Sequence, residues 1–164
     1  MGGEADAEAG GRRVPKAPPA SSEAVARSMK SNKSKGTKPE LMLRKALRDA
    51  GHPGYRVNWK KAPGKPDICY PGRRLAIFVN GCFWHRCPLC NPSSPKTHGD
   101  YWEAKFESNV ERDRLKGEEL LESGWSVVVA WECEVRKDMD GVLGRISPYL
   151  ARGPPRERDG GGQG

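Results

Sequence analysis

Residues 81–90 concentrate chemically versatile side chains in one short segment, directly after the apolar run 75–79. Four of the five cysteines fall into two clusters, namely Cys82, Cys87 and Cys90 and, 43 positions later, Cys133. Four soft ligands, several of them from one loop, are what a tetrahedral structural zinc ion requires. We therefore predict an all-cysteine Zn²⁺ site, which leaves Cys69 without a role.

Ordinary buried thiols and disulfides are the alternatives to this metal site. Disulfides are disfavoured because the chain opens with Met1 and Gly2, shows no apolar signal segment and has the character of a cytosolic protein, in which thiols stay reduced. No apolar run approaches the length of a membrane span. We expect a cytoplasmic protein, associated with the bacterial nucleoid if it binds DNA.

A second constellation points to phosphodiester chemistry. Asp67 follows Pro66 at the start of a predicted strand, and the next strand leads directly towards His85. A carboxylate at a strand start, together with a backbone carbonyl such as that of Val79, can hold Mg²⁺, which prefers oxygen ligands. An imidazole, which titrates near neutral pH, can activate water or protonate a leaving oxygen. Taken alone, Asp67 can equally be turn chemistry and His85 a zinc ligand that leaves Cys87 over.

The elements that position these residues follow from apolar patterns and capping signals. Thr37 is the predicted N-cap of a helix that carries Glu40 in its first turn and ends at Gly51. The further elements are a short strand at 55–58, a basic loop at 60–66, a β-hairpin of 67–70 and 74–79, a helix at about 100–123, an apolar strand at 125–131 and a closing helix at 138–151. This order predicts a mixed β-sheet with helices packed around it.

One folded domain is expected between two disordered tails. Residues 1–26 and 153–164 are rich in small and polar side chains, which cannot offset the entropy of ordering. The tails together carry five basic and six acidic residues, a net charge of −1, so the chain's net charge of +8 leaves +9 on the domain at 27–152. Its first stretch, 27–36, is a basic arm whose natural partner is a polyanion such as DNA. A solubilising charged surface is the simpler alternative.

These motifs together resemble a known family, the very-short-patch repair (Vsr) endonucleases, which nick DNA beside a T:G mismatch. The most specific string is Gly-Cys-Phe-Trp-His at 81–85, followed at the right distance by Trp-Glu-Cys at 131–133. The resemblance runs from about Arg27 to Val135 and rests further on Pro39-Glu40, on 64–67, on 78–80, on 101–105, on 109–113 and on Gly124-Trp125.

The resemblance implies catalytic roles for five residues. Asp67 resembles the family's metal-binding aspartate, His85 its catalytic histidine at the scissile phosphate, and Glu40 its helix carboxylate near the active site. Val79 stands where family members offer a backbone carbonyl to Mg²⁺. Asp113 corresponds to a position that helps to orient His85.

The resemblance also implies a DNA-binding surface and two of the zinc ligands. Phe83, Trp84 and Trp102 match aromatic residues that wedge into the duplex. Lys105 and Asn109 match side chains that contact the T:G pair, and Lys33 and Lys35 belong to the basic arm. Cys82 and Cys133 match zinc ligands. Cys87 replaces a zinc-binding histidine of the best-known members. Asn80 stands where some members carry another active-site histidine, which leaves a two-histidine mechanism without its second histidine.

Several of these residues have simpler interpretations. Glu40 can serve only as part of a capping box. Trp102, Phe106 and Val110 can form one buried helix face. Adjacent aromatics on an extended segment cannot both enter one core, and we take this as support for a wedge of Phe83 and Trp84.

The sequence thus predicts a restriction-endonuclease-like α/β domain with structural Zn²⁺ that uses Mg²⁺ to hydrolyse one phosphodiester bond on the 5′ side of a mismatched thymine. The expected partners are double-stranded DNA with a T:G mismatch, a functionally linked cytosine-C5 methyltransferase and mismatch-repair proteins; the protein itself is expected to be a monomer. The alternatives are a restriction- or defence-type nuclease that cuts unmismatched DNA, and a non-catalytic zinc-braced DNA-binding module.

Overall fold

A four-stranded mixed sheet with five α-helices is formed by residues 35–151, the part of the chain that the computed structural model describes. The helices are α1 (Lys38–Asp49), α2 (Cys82–His85), α3 (Gly99–Glu122), α4 (Glu132–Lys137) and α5 (Met139–Ala151). The strands are β1 (Arg56–Val57), β2 (Ile68–Tyr70), β3 (Leu75–Asn80) and β4 (Ser126–Trp131), and a 3₁₀ turn at Pro71–Arg73 joins β2 to β3. The predicted mixed sheet flanked by helices is confirmed.

The sheet has the strand order β1-β2-β3-β4. Its first two pairings are antiparallel, whereas β3 and β4 are parallel, with Asn80 opposite Trp131 at their carboxyl ends. β3 lies between two partners and is almost entirely buried, as expected for an apolar strand at the centre of a sheet. Because β3 and β4 are parallel, the segments that follow them leave the sheet at the same edge.

Helices cover both faces of this sheet. On one face α1 and α5 contribute the apolar side chains of Leu43, Leu47, Val142, Ile146 and Leu150 to a continuous core with the strands. On the other face Leu120 of α3 packs with Ala62 and Ala76, and partly buried tryptophans close this smaller cluster. Burial on both faces fixes the sheet, so that the loops at its edge are positioned on a rigid support.

The predicted first helix is confirmed in its cap as well as its extent. The backbone N–H of Glu40 donates to the Thr37 hydroxyl at 3.5 Å, with Pro39 in the first turn. Two short helices were not predicted. α2 occupies the start of the segment expected to be irregular, and α4 precedes the closing helix, because the Glu134 carboxylate accepts the N–H of Trp131 at 3.0 Å and so caps a separate helix start.

Several predictions lie outside the described residues. They are the two tails at 1–26 and 153–164 and most of the basic arm, including Lys33. Within residues 35–151, no helix combines the length and the apolar character needed to cross a membrane.

Candidate active site and thiol cluster

Asp67 lies at the amino end of β2, which places it beside the carboxyl end of β3 because the two strands are antiparallel. The backbone N–H of Val79 donates to the Asp67 Oδ2 atom at 2.8 Å. This hydrogen bond ties the carboxylate to the strand that leads into the 81–90 segment. The Val79 N–H is therefore used to hold Asp67, and the metal-binding role of the Val79 carbonyl stays a prediction.

The Asp67 carboxyl group is held in an unfavourable environment for its charge. Its pKa is raised overall from 3.8 to about 6. Burial has the largest effect and the negative charge of Glu40 adds to it, whereas the Val79 hydrogen bond and the charges of His85 and Lys116 lower the pKa. A buried carboxylate with a second carboxylate nearby is stabilised by any cation that binds between or beside them. The charge environment of Asp67 is therefore suited to binding a divalent cation.

Glu40 is buried, with 2% of its surface exposed, and its carboxylate already has partners. It accepts the N–H of Gly36 at 2.9 Å and pairs with the Arg44 guanidinium at 3.1 Å. This arrangement departs from a simple capping box, because the carboxylate accepts the N–H one residue before the Thr37 cap. Glu40 acts on Asp67 through its charge, and its catalytic role stays a prediction.

His85 and Asp113 meet although 28 residues separate them. His85 ends the single turn of α2, and its Nδ1 atom contacts the Asp113 Oδ2 atom, which α3 supplies. Both side chains are partly exposed, at 30%. The contact orients the imidazole and leaves Nε2 free to reach a substrate. The predicted partnership of Asp113 with His85 agrees with this geometry, while the catalytic roles themselves are untested.

The four predicted thiols come together at the same edge of the sheet. The Sγ atoms of Cys82, Cys87, Cys90 and Cys133 all lie within 4.8 Å of one another. Cys82 begins α2 two residues after β3, and Cys133 lies in α4 two residues after β4, so the parallel pairing of these strands brings the two clusters together. Cys69 is buried in β2 and is not part of the cluster.

Backbone N–H groups point at these sulfur atoms. The N–H of Cys133 donates to Cys82 Sγ at 3.3 Å. Burial raises the pKa of the Cys87 thiol, but hydrogen bonds from the N–H groups of Cys90 and Leu89 and with the Cys133 and Cys90 thiols together lower it overall, whereas burial raises the pKa of Cys82 and of Cys133. N–H donors around sulfur stabilise the thiolate, which is the form that binds metal. The donor set therefore fits a thiolate-bound metal ion.

Aromatic rings form a cluster beside the thiols. Phe83 contacts Trp84, Trp102 and Phe106 at centroid distances of 5.1, 5.6 and 5.2 Å. The expectation that Phe83 and Trp84 lie on an extended segment is wrong, because both lie in the helical turn α2. They pack on one another and on α3, and both stay partly exposed. Packing against α3 thus accounts for their adjacency without a DNA wedge, which stays a prediction.

The helix face with Trp102, Lys105 and Asn109 is only partly available to a ligand. Asn109 is 8% exposed, and its Nδ2 atom donates to the Trp84 carbonyl at 3.0 Å. Its amide therefore holds α2 against α3, in addition to any contact with DNA. Trp102 and Lys105 are half-buried. The alternative interpretation placed Trp102, Phe106 and Val110 on one buried helix face. It is wrong for Val110, which is 46% exposed.

Two features near the site were missed in the sequence. Lys116 of α3 lines a cleft of about 400 Å³ that also contains Asp67 and Lys35. The Arg86 guanidinium lies 4.3 Å above the Phe106 ring and donates to the Ser94 hydroxyl at 3.2 Å, so it fastens the loop after the thiols to the aromatic cluster. In the sequence, the only indication of a role for Lys116 was its spacing of three residues from Asp113.

The half-buried Asp67 carboxylate and the His85–Asp113 pair lie at one edge of a mixed sheet, which fits the predicted restriction-endonuclease-like nuclease. Comparison with known proteins agrees with this class. The family model described as DNA mismatch endonuclease Vsr matches residues 21–90.

Three relatives extend the match. The type II nicking enzyme V.XorIIP of Xanthomonas oryzae pv. oryzae is 43% identical over 122 residues, which cover 74% of this chain and 88% of that protein. The type II nicking enzyme V.NaeI of Lentzea aerocolonigenes is 42% identical over 132 residues, covering 77% and 78%. The DNA mismatch endonuclease Vsr of Escherichia coli K12 is 40% identical over 82 residues, covering 50% and 53%. The chain belongs to the Vsr family and is a DNA endonuclease.

Replacing Cys133 by serine is expected to abolish tight metal binding, because a closed structural site depends on all four thiolates. The purified wild-type protein should carry about one thiolate-bound metal ion per chain, measured by elemental analysis after extensive dialysis. Cys69→Ser is the matched control and should retain the metal. Folded, active wild-type protein without metal would contradict the site, as would full retention in Cys133→Ser.

Replacing Asp67 by asparagine is expected to stabilise the protein at neutral and higher pH when no divalent metal is added. The folded-state pKa of about 6 lies above the unfolded value of 3.8, so ionised Asp67 opposes folding above about pH 6, and this penalty fades as the pH falls towards 3.8. Two pKa units correspond to at most about 3 kcal/mol.

Thermal unfolding at about pH 8 and about pH 4.5 measures this pH dependence. The Asn variant should be the more stable at the higher pH, with a smaller advantage at the lower pH. Asp49→Asn, at an exposed ion pair with Lys45, is the control and should show no such trend. An advantage that grows on acidification would refute the charge argument.

Proposed function

We propose that the protein is a mismatch endonuclease that nicks one DNA strand on the 5′ side of the thymine in a T:G mismatch. The observation that carries this proposal is the contact of His85 Nδ1 with Asp113, beside the half-buried Asp67, in a chain of the Vsr family. A T:G mismatch arises when 5-methylcytosine deaminates. The proposal therefore implies a functional link to a cytosine-C5 methyltransferase and to mismatch-repair proteins.

We assign Mg²⁺ to Asp67, with the Val79 carbonyl as a second oxygen donor. The assignment is supported by the fit of the residues, since burial and the charge of Glu40 both raise the pKa of Asp67 and a bound cation would relieve both effects. Magnesium is commonly held by one or two carboxylates together with substrate phosphate. When bound, it supplies positive charge to the phosphate oxygens and makes a water molecule more acidic.

We assign His85 the role of a general acid or base. An Nδ1–H that donates to Asp113 fixes the imidazole ring and leaves Nε2 to take up or deliver a proton. In the overall reaction, a water oxygen forms a bond to phosphorus and one phosphorus–oxygen ester bond breaks. The electron pair leaves on the sugar oxygen, which ends with a proton, so that one water molecule is consumed for each nick.

Zinc is the metal that we assign to the thiol cluster. Four sulfur atoms about 2.3 Å from a tetrahedral zinc lie about 3.8 Å from one another. The Sγ atoms of Cys87 and Cys133 are 3.8 Å apart, and the whole set spans no more than 4.8 Å. Such a closed set leaves no position for substrate, so the zinc is structural and holds α2, which carries His85, against α4.

Mismatch selectivity is assigned to the partly exposed rings of Trp84 and Trp102, whose centroids are 5.8 Å apart. Aromatic side chains that enter a base step must unstack it, and a mispaired step opens at lower energetic cost than a matched one. Trp84 packs on Trp102, and Trp102 on Phe106 of the same helix, which supports this role because a preformed wedge loses little side-chain entropy on binding.

The test is nicking of labelled duplexes of one sequence that carry either T:G or C:G at a single site. Wild-type protein should nick the T:G duplex on the thymine strand with Mg²⁺ and should be inactive with EDTA. It should leave the C:G duplex largely intact. Equal rates on both duplexes would contradict the mismatch proposal and favour the restriction- or defence-type nuclease. That outcome would agree with the type II nicking enzymes among the relatives.

Binding by variants separates base opening from backbone contact in the same experiment. Trp84→Ala and Trp102→Ala should weaken binding to T:G duplex more than to C:G duplex, by a few kcal/mol at most. Lys35→Ala is the comparison and should weaken both complexes alike, with a smaller salt dependence, because phosphate contacts carry no sequence information. Equal loss on both duplexes in the tryptophan variants would remove the wedge from the account.

A further inference from the structure

The cleft beside Asp67 is lined mainly by lysines, most of which have no role in the mechanism proposed above. Its volume is about 400 Å³, and its walls include Lys35, Lys60, Lys65 and Lys116. Asp67 is the one carboxylate among the lining residues in the described part of the chain. A concave surface with one buried carboxylate and several ammonium groups suits a phosphate group that is also in contact with a cation at the carboxylate.

Lys116 is the member of this group that the fold places most firmly. It follows Asp113 by three residues on α3, so both side chains project from one face of the helix. The same helix face therefore contacts His85 through Asp113 and borders Asp67 through Lys116.

Close packing against Gly64 restricts the stem of Lys116. Gly64 has a φ of +71°, and a Cβ atom added there would lie 3.0 Å from the Lys116 Cβ and 3.2 Å from its Cγ. The backbone of the basic loop thus rests directly on the aliphatic part of this lysine. A restrained stem directs the ammonium group into the cleft at a low cost in side-chain entropy.

The charge of Lys116 has no direct partner among residues 35–151. No hydrogen bond or ion pair of its ammonium group occurs in this part of the chain, although its charge lowers the pKa of Asp67. A partly buried ammonium group without a partner is poised to bind an anion.

We propose that Lys116 is a further catalytic residue, which contacts a non-bridging oxygen of the scissile phosphate from α3. The proposal rests on the function proposed above. Lys116 stays protonated and forms no covalent bond; it offsets the negative charge that grows on the phosphate oxygens as the water oxygen attacks. Lys60 and Lys65 contact neighbouring phosphates and contribute to binding.

The experiment compares Lys116→Met, Lys116→Arg and, as a control, Lys45→Met with the wild type, in single-turnover nicking of T:G duplex at saturating protein. Methionine keeps the Cβ and Cγ atoms that pack on Gly64, and thermal unfolding checks that each variant is folded. Lys116→Met should slow nicking about 100-fold or more, the usual effect of losing one group that stabilises transition-state charge. Lys116→Arg should recover part of the rate. Lys45→Met, at an exposed ion pair with Asp49 and outside the cleft, should leave the saturated rate unchanged.

A rate of folded Lys116→Met within about threefold of the wild type would overturn the proposal, since a lost transition-state contact costs far more. A loss confined to the dissociation constant would overturn it as well, and so would a slow variant that arginine does not improve. Parallel assays on C:G duplex keep the two proposals apart. Wild-type protein that nicks both duplexes alike contradicts only mismatch selectivity, because a phosphate contact acts on either duplex; wild-type protein that nicks neither contradicts both.

Discussion

The parallel pairing of β3 with β4 is the constraint on which the site depends. Its register sets Asn80 opposite Trp131, and each strand is followed two residues later by a cysteine that starts or enters a helix. A shift of this register would separate Cys82 from Cys133 and turn every side chain of β4 to the opposite face. The antiparallel partner β2 adds Asp67 at the same edge, so the thiol cluster and the candidate active site share one support.

Helix α3 supplies further side chains to the site that the strands position. From one helix come Asn109, which holds the Trp84 carbonyl, Asp113, which contacts His85, and Lys116, which borders Asp67. The site is costly for the fold, because an ionised, half-buried carboxyl lies near a second one. Proteins tolerate such local destabilisation where a ligand relieves it, and this is the effect proposed for Mg²⁺ at Asp67.

Local patterns in the sequence predicted most of the fold. The Thr37 cap, the central position of β3 and the stop of α3 near Gly124 depend on residues close together in the chain, and the structure confirms each of them. The gathering of the four cysteines was predictable because ligand spacing restricts which residues can share an ion.

What the sequence could not predict depends on contacts between distant residues. The turn α2 is too short to form alone and exists because α3 packs against it. The start of α4 is set by the Glu134 carboxylate, which Arg145 of α5 holds at 2.7 Å. Lys116 gives no signal of its own, since only the folded chain brings it to Asp67. The two tails and Lys33 lie beyond the described residues, and their predicted roles stay predictions.

The central claim is that Asp67 and His85 carry out phosphodiester hydrolysis at this edge of the sheet. Single-turnover nicking of T:G duplex with Mg²⁺, measured for Asp67→Ala and His85→Ala alongside duplex binding, tests it most directly. We expect Asp67→Ala to bind DNA nearly as well as the wild type but not to nick it, and His85→Ala to nick about 100-fold more slowly or worse, as for a lost general acid or base. Nicking by Asp67→Ala at the wild-type rate would contradict the account.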